Sequence, residues 1–561
     1  MAKGGCAKTK MREAGRTTGN LWPWIAVAAL VVAVFSPSLG FDFTDMDDRG
    51  YVIENPFLRL GPGLQGFRWA VTAVGHAANW HPVTWLSLML DYRLFGLDAR
   101  GYHLVNLLIH LLNAGLFGSI LERLTGRRAV AFAAAAVWAV HPLRVESVVW
   151  ISERKDLLCA FFWLLSVAAY RRWLERPGTG RYLALLSAVA LAMAAKPMAV
   201  TLPVALLLLD WWPLGRLQRG RWPVAEKVPL LLLSAATSLL TVMAQREAMA
   251  PFESLPPLPR MANAARAVVA YLGRTLLPID LAPFYPYHPV TAAQLGGAIL
   301  LLGAGTLLAL RLRRSRPSLS VAWWGFALLL LPTLGLIQVG GQAMADRYTY
   351  LPHLLLIGGA ACAVRLRPAG MAAATVLALA CLAPAARAQV LRWGDDRTLF
   401  EHAISVTRGN WMMHYNLGNV LAGRGDRRGA EEHFRAAIAA FPGYVEARNN
   451  LGSLLAATGH DAEAEGQFRM ALAVRPGHAP AWFNLGKVLE ARGDYTGALG
   501  PYAEAARLVP DRAEAHLRLG AVLLAAGRTG EAGRACARAL ELDPGSAEAA
   551  QCLAAAGGAF R

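Results

Sequence analysis

Charged side chains are scarce in this chain: 17% of its 561 residues, against 55% that are hydrophobic. A wholly soluble chain of this length needs a larger charged surface, and here the apolar residues fall in long runs. Cysteine is scarce as well. There are six, none in a Cys-x-x-Cys pair and none at metal-ligand spacing, so the sequence offers neither a disulfide framework nor a zinc module. Cys159, Cys362 and Cys381 lie in apolar runs and read as small core residues. Cys536 and Cys552 lie one helix apart and could pair outside the cytoplasm, but the sequence favours two buried free thiols. Acidic residues are short in only one part of the chain. From Asp395 onward 18 Lys and Arg meet 19 Asp and Glu, whereas residues 1–394 hold 38 basic residues against 19 acidic ones. The net charge of +18 therefore comes from the first part, in short clusters between apolar runs. That is the pattern of loops retained on the cytoplasmic side of a membrane, and it argues against a nucleic-acid partner.

The expected fold class is all-α, a polytopic membrane helix bundle followed by an α-solenoid. Residues 1–20 form a basic N-terminus with Lys3, Lys8, Lys10, Arg12 and Arg16, predicted to be cytoplasmic, and 21–39 read as an uncleaved first span. Further apolar runs lie near 103–121, 129–149, 157–170, 182–195, 197–212, 228–244, 293–310, 320–339, 351–364 and 370–390. At about 20 residues per span they predict about eleven spans within 21–394. Segment 262–278 carries Arg266 and Arg274 and runs into LPIDLAPFYPYHP, so it reads as interfacial or re-entrant. An odd number of spans places the long 41–101 loop and the C-terminal region on the extracytoplasmic side.

The C-terminal region is periodic. Gly418, Gly452, Gly486 and Gly520 keep one constant step, as do Ala430, Ala464, Ala498 and Ala532, and Pro442, Pro476, Pro510 and Pro544. Phe434, Phe468 and Tyr502 follow it too, with Cys536 in the fourth place. That step is the tetratricopeptide period of about 34 residues. It predicts a half repeat or linker over 395–410, four repeats over 411–544 and a capping helix over 545–561. Such arrays present a concave surface to a protein or peptide, or serve as a scaffold.

Chemistry-bearing residues gather in the loops. Asp42, Asp45, Asp47 and Asp48 open the 41–101 loop, where crowded carboxylates suit proton abstraction, although a solvated helix cap would look the same. Asn79, Trp80, His81, His103 and Asn106 follow at span ends, and His110 lies inside a span. A second cluster, HPLRVESVVWISERKDLL, holds His141, Arg144, Glu146, Glu153, Arg154, Lys155 and Asp156. Lys196 interrupts an apolar stretch, and Asp346 and Arg347 occupy a later loop. Basic groups gathered on one side would bind an anion such as a phosphate.

The segments DDRGYVIENP, HPVTWLSLMLDYRLFGL, GYHLVNLLIH, HPLRVES with ERKDLL, KPMAVTLPVALLLLDW and ADRYTYLP occur in that order and are followed by the repeats. In this combination the chain resembles the transmembrane and tetratricopeptide-repeat-containing proteins and their bacterial relatives, which are similar to glycosyltransferases of the C-type fold. The resemblance implies an inverting transferase. It would move a mannose-like hexose from a polyprenyl-phosphate donor to a protein hydroxyl on the extracytoplasmic side. It implies Asp47 or Asp48 as base, with Asp45 nearby. It implies Arg154, Lys155 and Arg347 as donor-phosphate ligands with His141 and Lys196 behind them, and His81, His103, Glu146 and Asp346 in support. A divalent cation is compatible with the acidic loop, but no metal-ligand set is evident. Expected partners are the bilayer, the lipid-linked sugar and a protein or peptide acceptor held by the repeats. Abundant Ala, Arg and Gly and the lack of an organelle address point to a bacterial inner membrane with periplasmic repeats. The competing reading is a non-enzymatic membrane scaffold for envelope assembly or export. One span would suffice for such an anchor.

Overall fold

The computed structural model describes residues 22–217, 223–246, 256–336 and 340–557. The basic N-terminal segment 1–20 lies outside the described residues. Contacts divide the chain into two units, Met1–Thr407 and Arg408–Arg561.

The first unit is a bundle of apolar helices. Six are long and apolar enough to cross a bilayer: Trp22–Gly40, Ala99–Thr125, Ile151–Glu175, Ala225–Gln245, Ala292–Leu312 and Pro368–Arg392. A seventh span forms if Arg128–Ala139 and Pro142–Val149, bent by 63°, are taken together. The expectation of about eleven spans is therefore corrected to six or seven among the described residues. Four of the predicted runs fold into shorter helices, Thr179–Ala195, Pro197–Trp211, Pro317–Thr333 and Pro352–Ala363. At about 1.5 Å per residue, a helix of at most about 17 residues falls short of a hydrocarbon core about 30 Å thick. Several breaks sit at proline, which removes a helix donor: Pro142, Pro197, Pro317 and Pro352 each open a new helix. The parity argument that placed loops by counting eleven spans falls with the count.

Several of these helices share one polarity of charge. Ala99–Thr125 runs from Tyr102 to the Arg123–Arg128 cluster, and Ile151–Glu175 runs from Glu153 to Arg171, Arg172 and Arg176. Pro352–Ala363 ends before Arg365, and Pro368–Arg392 returns the chain from there to Trp393. Trp393 packs 5.8 Å from Trp150, and Asp396 accepts a 2.9 Å hydrogen bond from the Asp45 backbone. One end of the bundle thus gathers the 41–101 loop, Trp150 and the end of the last span, while the other carries arginine clusters.

The second unit is a helical solenoid. Its hairpins are Trp411–Gly423 with Arg427–Ala440, Val445–Ala457 with Asp461–Val474, Ala479–Ala491 with Tyr495–Leu508, and Ala513–Ala525 with Thr529–Leu542, followed by Ala547–Ala555. The periodic glycines sit where each hairpin closes on a ring. A Cβ on Gly418 or Gly452 would lie 2.7 Å from Phe434 or Phe468, and one on Gly486 would lie 2.8 Å from Tyr502. In the fourth hairpin Gly520 faces sulfur instead, because Cys536 is bonded to Cys552 of the last helix. The expectation of two free thiols is corrected: Gly520 leaves the space a ring would need, and the smaller cysteine bridges to the cap. The helix Asp396–Val406, which continues the repeat pattern backward, groups with the membrane unit.

Candidate active site

A cavity of about 810 Å³ opens at the loop end of the membrane unit. Asp47 and Tyr51 of the first loop line it, together with Asn79, Glu153, Lys155, Lys196, Arg347 and Tyr348. Met198, Val200, Val242, Pro332 and Met344 supply an apolar wall.

The two candidate bases part company here. Asp47 is exposed and lines the cavity, whereas Asp48 is fully buried and does not. Oδ1 of Asp48 accepts from the Ser152 backbone N–H at 2.8 Å and from its hydroxyl, and Oδ2 accepts from the Thr44 N–H at 3.2 Å. Asp48 therefore pins the loop to the start of the Ile151–Glu175 helix. Burial pushes its carboxyl up to about 6 even though those hydrogen bonds pull the other way. Asp45 is exposed and pairs with Arg49 at 3.5 Å.

Three cations from three separate motifs meet on one carboxylate. Lys155 Nζ lies 3.1 Å from Glu153 Oε1, Lys196 Nζ lies 3.3 Å from Oε2, and Arg347 Nε lies 3.1 Å from Oε1. Lys196 also pairs with Asp156 at 2.6 Å, and Arg347 pairs with Glu146. Three positive and three negative groups thus balance. The Glu146 and Glu153 carboxylates outweigh burial and hold the Arg347 guanidinium well above its usual range. Tyr51 joins this cluster to the loop: its ring lies 4.8 Å from Lys155 Nζ, and its hydroxyl accepts from Asn79 Nδ2 at 3.3 Å.

The remaining predicted residues stand behind the cavity. Arg154, expected to face the phosphate, is fully buried against Asp91 at 2.7 Å and donates to Tyr102 O at 2.8 Å and to Asn106. Neighbouring helical positions point about 100° apart, so Lys155 faces the cavity and Arg154 turns inward. His141 is buried and hydrogen-bonds Thr275 O at 3.0 Å, away from the lining. His81 stacks on Tyr51 with ring centroids 5.6 Å apart. Burial, with Lys155 nearby, holds its imidazole well below its usual value and so neutral. His103 packs edge-on against Phe41. Asp346 accepts from the Tyr285 hydroxyl at 2.8 Å, and burial raises its carboxyl to about 6.

Two residues without an assigned role prove to be organisers. Glu153 is the shared carboxylate. Arg144 clamps the Asp346–Thr349 turn, donating to Thr349 O at 3.1 Å, to its hydroxyl at 2.6 Å and to His353 Nδ1 at 2.9 Å. Glu146 Oε2 accepts from the Arg347 backbone at 2.9 Å. The HPLR and DRYT segments therefore interlock and aim Arg347 at the cavity. Sequence spacing does not reveal this, because the partners belong to motifs far apart along the chain. Among the described residues no group of three or more His, Cys, Asp or Glu side chains is arranged to hold a metal.

Fold and site define a multi-pass membrane protein with a charged, loop-end cavity and a tetratricopeptide-repeat unit. Residues 81–244 match the family described as dolichyl-phosphate-mannose-protein mannosyltransferase, and 415–479, 462–512 and 483–547 match the tetratricopeptide repeat. A protein O-mannosyl-transferase of Caenorhabditis elegans is 24% identical over 464 residues, covering 78% of this chain and 65% of that one. One from Homo sapiens is 25% identical over 517 residues, covering 80% and 58%. One from Drosophila melanogaster is 31% identical over 190 residues, covering 32% and 21%. The crystal structure of MamA, at 21% identity, aligns with 26% of this chain and 86% of that one at a TM-score of 0.25. The chain is similar to these protein O-mannosyl-transferases, and it spans less than two thirds of the length of each of the three. Glu153, Lys155 and Lys196 lie within the mannosyltransferase match; Asp47 and Arg347 lie outside it.

Proposed function

We infer that the membrane unit is an inverting glycosyltransferase that moves a hexose from a polyprenyl-phosphate donor to a protein hydroxyl. The observation that carries this reading is one cavity shared by an exposed carboxylate, Asp47, and three cations, Lys155, Lys196 and Arg347. The acceptor hydroxyl gives its proton to the Asp47 carboxylate as its oxygen attacks the anomeric carbon. The bond from that carbon to the phosphate oxygen breaks, and its electron pair leaves with the polyprenyl phosphate. Attack from the face opposite the leaving group inverts the centre. The three cations offset the charge that grows on the phosphate, and the apolar wall at Met198, Val200 and Val242 suits a prenyl chain.

The cavity end is assigned to the extracytoplasmic side of a bacterial inner membrane. Its opposite end carries the arginine clusters, which loops held in the cytoplasm carry. The last span ends at the cavity end, so the repeats follow on that side. The Cys536–Cys552 bond accords with an oxidising compartment such as the periplasm. There the repeats hold the acceptor protein. The names of the relatives, protein O-mannosyl-transferases, accord with a mannose-like sugar and a protein acceptor.

Sugar transfer to Ser or Thr is measured by mass spectrometry in cells carrying the intact gene or Asp47→Asn, at matched membrane expression. General-base loss predicts a fall of about 10²–10⁴-fold. An unchanged glycoproteome, even on deletion of the gene, removes the protein acceptor and favours a lipid or glycan acceptor or a scaffold.

A further inference from the structure

At the far end of the membrane unit, positive charge gathers in a cavity with no acidic partner among the described residues. A polar cavity of about 440 Å³ is lined there by Arg127, Arg316 and Arg365, with Thr125, Ser315 and Ser318 beside them, and no carboxylate among the described residues lines it. The candidate active site differs: each of its three cations has a carboxylate partner. The buried cluster where Arg216 and Lys227 lie is balanced too, since both pair with Asp210 and Glu226. Arg127 spends its hydrogen bonds on backbone carbonyls, Cys362 O and, at 2.8 Å, Val364 O, and Arg316 reaches Ala363 O at 3.4 Å. These bonds cap the Pro352–Ala363 helix and fix the guanidinium groups in place, but they leave both charges unneutralised. Helix capping gives no reason for Arg365 to join the same cavity.

A second cavity adjoins the first. It shares Leu124, Trp212 and Pro213 and continues between the helices as a narrow apolar crevice of about 50 Å³, lined by Phe117, Leu121, Trp163, Leu209 and Leu355. Gly358 and Gly359 line the crevice as well. A free phosphate would use only the polar part. A molecule with an anionic head and a hydrocarbon tail would use both, and the bilayer supplies one at this depth.

We propose that this pair of cavities is a binding site for an anionic glycerophospholipid, with its phosphate among Arg127, Arg316 and Arg365 and part of an acyl chain in the crevice behind Trp212. Bound there, the lipid ties the Ala99–Thr125, Pro317–Thr333 and Pro352–Ala363 helices together at the end opposite the candidate active site. The reading does not depend on the glycosyltransferase assignment.

The test uses full-length protein purified in detergent, with lipid binding read by native mass spectrometry and thermal unfolding. The probes are phosphatidylglycerol, phosphatidylcholine and inorganic phosphate. The intact protein is expected to bind phosphatidylglycerol in preference to phosphatidylcholine and to unfold at higher temperature with it, whereas inorganic phosphate gives no comparable shift. Each arginine near an anionic headgroup contributes about fivefold in affinity, so the triple variant Arg127→Gln, Arg316→Gln, Arg365→Gln should bind phosphatidylglycerol about a hundredfold more weakly. Because Arg127 also caps a helix, the double variant Arg316→Gln, Arg365→Gln keeps the Arg127 cap and should lose about twentyfold. The proposal is overturned by equal binding of the two lipids to the intact protein, by a double variant that keeps its preference, or by inorganic phosphate reproducing the shift.

Discussion

Replacing Glu153 by Gln tests how the candidate active site is built. The side chain is 2% exposed, and its carboxylate lies 3.1–3.3 Å from three cationic groups. The substitution keeps the shape and removes one negative charge. Lys196 retains Asp156 and Arg347 retains Glu146, but among the described residues Lys155 loses its ion-pair partner and keeps the Tyr51 hydroxyl and ring. Breaking a buried pair by removing one partner costs about 3–5 kcal/mol. The cavity admits water to the lysines, so the lower figure, about 3 kcal/mol, is expected. The same change turns a balanced cluster into one with a surplus positive charge. A phosphate seated near position 153 would escape a repulsion of about 1–4 kcal/mol, the range for unit charges about 4 Å apart between water and a protein surface. Purified protein would therefore unfold at lower temperature when empty, yet gain more stability than the intact protein as polyprenyl phosphate is titrated in. Unchanged thermal stability together with weaker phosphate binding would refute this account of Glu153 and of the cavity as an anion seat.

Asp48→Asn should behave differently from Asp47→Asn. Its carboxamide offers an N–H₂ where a second acceptor is needed, so a loss of about 1–3 kcal/mol in stability is expected, measurable by thermal unfolding, ahead of any direct effect on chemistry. Asp48 also gives a pH signature. Its folded value of about 6 lies above its usual value of 3.8, so the native state holds that proton more tightly. Stability is fully present below about pH 4 and is lost as pH rises through about 6, by up to about 3 kcal/mol from this group, and the Asn variant should show a shallower fall over that window. Arg347→Lys should lose most transfer activity in the in vivo assay while keeping the fold, because a lysine cannot hold Glu146 and Glu153 together. Gly486→Ala should destabilise the repeats by about 1–3 kcal/mol in thermal or urea unfolding, since its Cβ meets the Tyr502 ring at 2.8 Å. Reducing the Cys536–Cys552 bond, whose partners are 16 apart in sequence, should cost about 3 kcal/mol, visible as a lower midpoint on adding a phosphine reductant.

The helix hairpins of the repeats are legible from sequence because their packing is local, whereas the Cys536–Cys552 bond is not. Gly418 meets Phe434, Gly452 meets Phe468 and Gly486 meets Tyr502, each within its own hairpin, so the periodicity carries the contacts themselves. Which residue types gather in the membrane unit was legible too. Asp47, Lys155, Lys196 and Arg347 all stand out in the sequence as charged residues between apolar runs, and the structure brings them to one cavity. The number of spans was not legible. Run length counts apolar residues, but a proline or a 63° bend decides whether they form one helix or two.

Burial and direction belonged to the tertiary structure alone. Asp47 and Asp48 are equivalent as letters, yet one faces a cavity and the other is held by Ser152, 104 positions away. Arg154 and Lys155 are neighbours, yet the helix turns the first toward Asp91 and the second toward Tyr51. Glu153 became the hub only when the segments of Lys196 and Arg347 folded onto it beside Lys155, and the arginine-lined cavity formed only where three helix ends met. A sequence sets which groups must find partners in a low-dielectric interior. Which partner each group finds depends on contacts distant along the chain, and packing alone brings those together.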